Sequence, residues 1–307
     1  MSRHMRAYPR VLPFLIILGL FLSPPDVASG EERTFVDAVG RVVTIQYPSK
    51  RIVSLVPDIT ETLYALGLAD EIVGVTRFSD FPPAARQKPK VGPYTDINIE
   101  AVVNLKPDLI LGSGVGNSPM QVRRLERMGY AVFVVYPRDL EGVLTGIQQI
   151  AAVASKVVEG ETIVREMRQR IEQVTRRVTG RKKPTVLLQI GRDPIFTVSK
   201  GSFAHHLITL AGGDNVAKDS KTPYPSYALE EIMLRAPEVI IVSSMYVGSN
   251  PSQWLDEWKR WKVLPAVRNN RLYSINSDLI DRPSPRIVDG LEEMARMIHP
   301  EAFGDEP

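Results

Sequence analysis

The chain has 307 residues, a formal net charge of +3, 44% hydrophobic residues and no cysteine. That balance excludes a disordered chain and a disulfide-stapled scaffold or thiolate chemistry. A charge this close to neutral, without a basic stripe interleaved with aromatics, is no nucleic-acid footprint.

Residues 1–29 read as an export signal. Arg3, Arg6 and Arg10 precede the apolar run VLPFLIILGLFL, and the small residues of VAS offer a cleavage point near Ser29. The run is shorter than the roughly 20 residues a spanning helix needs, although an uncleaved N-terminal anchor is the alternative. Without cysteine there is no acylation site of the lipoprotein kind, so a free periplasmic protein is expected rather than a lipid-tethered one. Three arginines and one aspartate leave with the leader, taking the net charge from +3 to +1.

A hairpin turning at Gly40 is predicted in RTFVDAVGRVVTIQYP. Ile52 to Val56 is a short β-branched strand. Asp58 and Glu61 then stand in N-cap and capping-box relation at the start of a helix closed by Gly67. The strand EIVGVT, the loop FSDFPPAARQ and the helix INIEAVVNLKP follow, then the strand DLILGSG, the helix SPMQVRRLERMG and the strand AVFVVYP. Strands alternating with helices predict a parallel sheet. From Leu140 to about Thr179 the periodicity is helical, with a break expected at Gly160 and an apolar stripe of Ile163, Met167, Ile171, Val174 and Val178. The order of the first half then returns: PTVLLQI, GSFAHHLITLAGG, YALEEIMLRAP, EVIIVSS, SQWLDEWKRW and RLYSIN, with a last helix from Ser284 to His299.

One stretch is written twice. In NIEAVVNLKPDLIL and ALEEIMLRAPEVII, Glu100 matches Glu230, Pro107 matches Pro237 and Asp108 matches Glu238. The expected fold is α/β: two similar α/β lobes with parallel sheets, joined by a long backbone helix, with a ligand crevice between them at the carboxyl ends of the strands. The expected boundaries are 1–29 for the leader, 30–139 for the first lobe, 140–182 for the helical connection and 183–307 for the second lobe.

Familiar catalytic signatures are missing: there is no G-x-x-x-x-G-K-[ST], G-x-S-x-G or H-E-x-x-H. GSGVG, from Gly112 to Gly116, reads as a tight turn before a helix or as a weak anion cradle. His205 and His206 are helix neighbours about 100° apart, so they do not chelate one ion together. Aromatic rings in Pro-, Gly- or Asp-rich loops stand out instead: Phe78, Tyr94, Phe196 and Tyr224. Each is a loop anchor or a contact for a broad, flat ligand. Asp278 and Arg282 lie where the last strand gives way to the last helix, as a local ion pair or a hydrogen-bonding pair facing a ligand.

In this combination, SDFPP, NLKPDLIL, AGGDN and SPRI resemble the helical-backbone substrate-binding proteins of ABC importers, the cobalamin-binding ones most closely. The resemblance covers nearly all of the mature chain. It implies a non-enzymatic periplasmic receptor that holds a corrinoid between its lobes, with no resident cofactor or metal and cobalamin as the transported ligand. The contacts it implies fall on Phe78, Tyr94, Phe196, Tyr224, Asp278 and Arg282, with Asp58 in reach. Tyr94 and Tyr224 stand where well-known cobalamin binders have tryptophan, and Asp58 where a small apolar residue is usual. The implied partner is a permease dimer with its ATPase subunits, docked through Glu100 and Glu230, and the free receptor is expected to be a monomer. Both glutamates also lie in the first turn of a helix, where a carboxylate offsets orphan N–H groups. Two alternatives stand beside this one. One is a ferric siderophore or haem receptor using Arg77, Arg192 and Arg282, with Tyr94 or Tyr224 on iron. The other is an α/β enzyme using the glycine loop at Gly112 and a tyrosine acid.

Overall fold

The structure, a computed structural model, describes residues 31–243 and 250–304; the expected leader lies outside the described residues. Strands β1 (Glu31–Val36) and β2 (Val42–Tyr47) form the expected antiparallel hairpin. The first lobe follows as β3 (Ile52–Ser54), α1 (Pro57–Ala65), β4 (Ile72–Gly74), α2 (Ile99–Asn104), β5 (Leu109–Ser113), α3 (Pro119–Arg127) and β6 (Val132–Val135). A 3-10 turn, Pro83–Gln87, lies within the expected loop. The four strands make one parallel sheet in the order β4-β3-β5-β6.

Both faces of this sheet are covered, which is why its strands read as unbroken apolar runs. Ile52, Leu109, Leu111 and Phe133 enter one core, whereas Val53, Ile110, Val132 and Val134 enter the opposite one. The second lobe repeats the device. Its elements are β7 (Thr185–Gly191), β8 (Ile195–Thr197), α6 (Phe203–Leu210), β9 (Asp214–Asn215), β10 (Ser226–Tyr227), α7 (Leu229–Arg235), β11 (Val239–Val242), α8 (Pro251–Trp258), α9 (Pro265–Arg268), β12 (Leu272–Ser274), α10 (Ser277–Asp281), α11 (Ile287–Ile298) and α12 (Pro300–Phe303). Leu188 and Ile241 face one core, Leu187 and Ile240 the other.

The second sheet is not purely parallel. The strands β7, β11, β12 and β9 run parallel, but β8 turns back antiparallel on β7 and carries β10 antiparallel at the edge. Only Arg192 to Pro194 join β7 to β8, far too few residues for the crossover that parallel neighbours require. The expected last helix, Ser284 to His299, is found as α11, and a short helix that was not expected, α10, precedes it.

Between the lobes run α4 (Leu140–Val153) and α5 (Val157–Val178). The break falls at Ser155, whose φ is +61°, and not at Gly160. Gly160 lies inside α5, where a Cβ would collide with Ala151 of α4. It is there for close helix packing, not for chain reversal. Leu140, Val143, Leu144 and Ile147 of α4 join the second lobe's core, and Ile150, Ala151 and Val153 join the first lobe's. Of the apolar stripe on α5, Met167, Val174 and Val178 are buried, with Ile163 and Ile171 packed beside them. The connection is thus a helix pair rooted in both cores.

The repeated stretch is a repeated structure. Lys106 and Ala236, at matching places, both take left-handed backbone, with φ of +47° and +45°, immediately before the matched prolines. Asp108 accepts from the backbone N–H groups of Lys50 at 2.7 Å and Arg51 at 3.0 Å, next to the start of β3. Glu238 accepts from Thr185 N–H at 3.1 Å, at the start of β7. The matched acids therefore fasten one strand to the next in each lobe.

Candidate functional site

In the first lobe, Phe78 and Tyr94 meet edge to face, with ring centroids 5.7 Å apart. Such a pair contributes about 0.5–1.5 kcal/mol beyond its buried area. Tyr94 is held from behind by Asn117, a buried residue without a motif of its own in the sequence. Its Nδ2 donates to the Tyr94 and Leu55 carbonyls at 2.9 Å each, and its Oδ1 accepts from Ser113 N–H at 2.8 Å. A Cβ on Gly116 would press against the Tyr94 ring and Val56. The end of GSGVG thus makes room for an aromatic ring, which favours the turn over the anion cradle.

In the second lobe, Phe196 on β8 pairs with Ser226 of β10, and Tyr224 lies two residues before Ser226. Phe196 is 37% exposed. Tyr224 is 57% exposed, yet burial, followed by the charge of Asp281, raises the pKa of its hydroxyl. Two rings thus stand in each lobe.

The charged groups join the lobes. Arg282 pairs with Asp278 one helical turn back, at 2.9 Å, as a local pair would. The same guanidinium also reaches into the first lobe, to Glu61 at 3.0 Å and Asp80 at 2.9 Å, and donates to the Phe78 carbonyl at 3.4 Å. Ser284 Oγ donates to Glu61 at 2.6 Å, Arg286 reaches it at 3.3 Å, and the Arg286 guanidinium lies 3.7 Å from the Phe81 ring centroid.

These contacts correct the expected capping box. Pro57 opens α1, Val56 is its N-cap, and no side chain caps it. Asp58 therefore sits within the first turn and not at the N-cap, and Glu61 turns to the other lobe. Glu61, Asp80, Ser284 and Arg286 carried no local signal for this role, because each partner is about 200 residues away in the chain or sits in a loop.

Asp58 is buried next to this network. Burial pushes its carboxyl up to about 7; the Glu61 charge adds to the rise, while its own backbone N–H and Arg282 oppose it. Asp281 is likewise pushed up to about 7 by burial and by Asp278. A carboxyl whose folded pKa is raised binds its proton more tightly when folded. Its share of stability is therefore intact below about pH 4 and is lost as the pH rises towards 7. Asp58→Asn is expected to be more stable relative to wild type at pH 8 than at pH 5, as thermal melts at the two pH values will show. An identical difference at both would mean Asp58 does not titrate in this window.

Glu100 and Glu230 lie apart from these groups, exposed in the first turns of α2 and α7. Among the described residues neither carboxylate has an ion-pair partner. Arg192 is tied to Glu257 at 3.2 Å, and His205 Nδ1 lies 3.0 Å from the Asn215 amide. No group of three or more His, Cys, Asp or Glu suited to a metal occurs among the described residues. No helix among them is long and apolar enough to cross a membrane.

The model of the family described as periplasmic binding protein matches residues 52–279. The chain belongs to that family. The vitamin B12-binding protein of Vibrio campbellii is 32% identical over 247 residues, covering 80% of this chain and 88% of that one. Its counterpart in Vibrio cholerae is 29% identical over 262 residues, covering 85% and 93%. The crystal structure of the periplasmic vitamin B12 binding protein BtuF of Vibrio cholerae matches with a TM-score of 0.73 at 29% identity, covering 84% of this chain and 99% of that one. A periplasmic haem-binding protein, BhuT, solved with two haems, reaches a TM-score of 0.74 at 23% identity, covering 83% and 99%. At that identity the likeness shows the fold alone. The two-lobe α/β architecture expected from the sequence is the architecture of this family.

Proposed function

We propose that this protein is a periplasmic receptor that binds a corrinoid, cobalamin, between its lobes and hands it to an ABC importer's permease dimer with its ATPase subunits. The observation that carries the reading is the ring pair of Phe78 and Tyr94 in the first lobe, with Phe196 on β8 and Tyr224 just before its partner strand β10 in the second, together with the charged groups that join the lobes. Flat rings on two sides suit a broad macrocycle, and Asp278, Arg282 and Asp58 offer donors and acceptors for its peripheral amides. Cobalamin can bring its own axial base to cobalt, so the receptor need not supply a histidine. The relatives named for vitamin B12 binding support this choice of ligand. The role is non-catalytic: the ligand leaves unchanged. Export by the leader and a monomeric free state belong to the same reading.

The anionic alternative loses two of its three arginines. Arg282 already meets three carboxylates and Arg192 meets Glu257, which leaves less positive charge for a siderophore or for haem propionates. Absorption spectra of the purified protein, titrated in turn with cyanocobalamin, haem and a ferric siderophore, test the choice. Saturable spectral change with the corrinoid alone is expected; saturation by haem or siderophore alone would replace the reading.

Tyr94→Ala is expected to weaken cobalamin binding at least several-fold, since one aromatic anchor contributes on the order of 1–3 kcal/mol. An unchanged dissociation constant would remove Tyr94 from the site.

A further inference from the structure

Arg282 to Arg286 take hold of the first lobe in two places. The inner hold is Glu61, whose side chain is 2% exposed and whose partners Arg282, Ser284 and Arg286 all come from the second lobe. The outer hold is the loop Phe78–Phe81, where Asp80, the Phe78 carbonyl and the Phe81 ring are engaged. Asp80 is 44% exposed, so its pair with Arg282 is screened by water. Glu61 is not: burial raises its pKa, and Ser284 and the two guanidiniums favour the anion. A buried carboxylate needs its charge matched by good geometry, and here every partner lies across the lobe boundary. Joining the lobes does not require this, because α4 and α5 are already packed into both cores.

We propose that Glu61 is a positioning residue for the ligand site. It fixes the Arg282 guanidinium from the opposite lobe, and it sets how far Phe78 and Tyr94 stand from Phe196 and Tyr224. The part concerning Arg282 and the ligand rests on the reading above; the part concerning lobe spacing does not.

The chain has no cysteine, so two introduced thiols can be spin-labelled cleanly. With Arg123→Cys on α3 and Lys259→Cys just after α8, pulsed electron paramagnetic resonance reads the distance between lobes. A narrow distribution is expected in the otherwise native protein and in Asp80→Asn. In Glu61→Gln it is expected to broaden or to shift by several ångströms. Should Glu61→Gln fail to fold, Ser284→Ala, which removes the 2.6 Å bond to Glu61 together with the 3.2 Å bond that Ser284 Oγ accepts from Arg286 N–H, takes its place. In the ligand arm, Glu61→Gln weakens cyanocobalamin binding by about tenfold when Arg282 is present but has little further effect in Arg282→Gln, as residues acting through one another do. A general structural role would give additive losses. An unchanged distance distribution in a folded variant, or additive losses, overturns the proposal. If the native protein does not bind cyanocobalamin, the ligand reading fails, and the distance measurement alone decides the role of Glu61.

Discussion

Replacing Glu100 and Glu230 together by alanine is expected to abolish transport while leaving cobalamin affinity unchanged. The two carboxylates are exposed, occupy matching turns of the two lobes, and among the described residues have no ion-pair partner. Their contribution to the fold is small. Asn98 already caps α2 by accepting from Ala101 N–H at 3.0 Å, so losing Glu100 forfeits only an interaction with the helix dipole, about 0.3–1 kcal/mol. A charge that pairs with an arginine inside a docked interface is worth more, about 2–5 kcal/mol when one partner is truncated. Two such losses reduce uptake into vesicles carrying the permease and its ATPase to background, with the melting temperature within a few degrees of wild type. Normal uptake by the double variant would leave both residues as helix-terminal acids and nothing more.

Arg282→Ala is expected to have the largest effect on the protein itself. Its side chain is 15% exposed and it faces Glu61, which is almost wholly enclosed. Removing one partner of a buried pair typically costs about 3–5 kcal/mol, and Ser284 and Arg286 remain with Glu61, which places this variant near about 3 kcal/mol. For a domain of this size each kcal/mol moves the melting temperature by about 2–4 °C, so a fall of about 6–12 °C is expected. Asp80→Asn, which disturbs the half-exposed arm of the same network, is expected to cost less than about 1 kcal/mol. Thermal melts of the two variants side by side check the ranking; equal losses would mean that the pair with Glu61 adds nothing beyond the Asp80 arm. Arg282→Ala is also expected to bind cobalamin more weakly than wild type, because the proposed site includes the same guanidinium.

Much of this architecture is legible in the sequence for a physical reason. Strands covered on both faces are written as short β-branched runs, and Val53, Ile110 and Ile240 could be assigned from that pattern alone. The repeat around Glu100 and Glu230 carried the duplication of the lobes, and the matching left-handed residues Lys106 and Ala236 show that backbone was duplicated along with side chains. What stayed hidden was tertiary. Asp58 and Glu61 have capping-box spacing, but Pro57 starts the helix early and Glu61 finds its partners in Ser284 and Arg286. Gly160 looks like a helix stop, yet it is needed for the approach of α5 to Ala151. The reversal of β8 depends on a three-residue connection that local periodicity does not register. Phe78, Tyr94 and Tyr224 lie outside helices and strands, as their Pro-, Gly- and Asp-rich settings suggest, whereas Phe196 falls on β8; Asn117, which holds Tyr94 in place, sits near GSGVG and was masked by the glycines around it.

Isothermal titration of the purified protein without residues 1–29, with cyanocobalamin and separately with haem, decides between a corrinoid and a haem receptor. One site per chain for cyanocobalamin is expected, with a negative heat-capacity change from burial of the corrin faces between the lobes and no saturable heat with haem. Saturation by haem with none by cyanocobalamin would contradict the corrinoid reading.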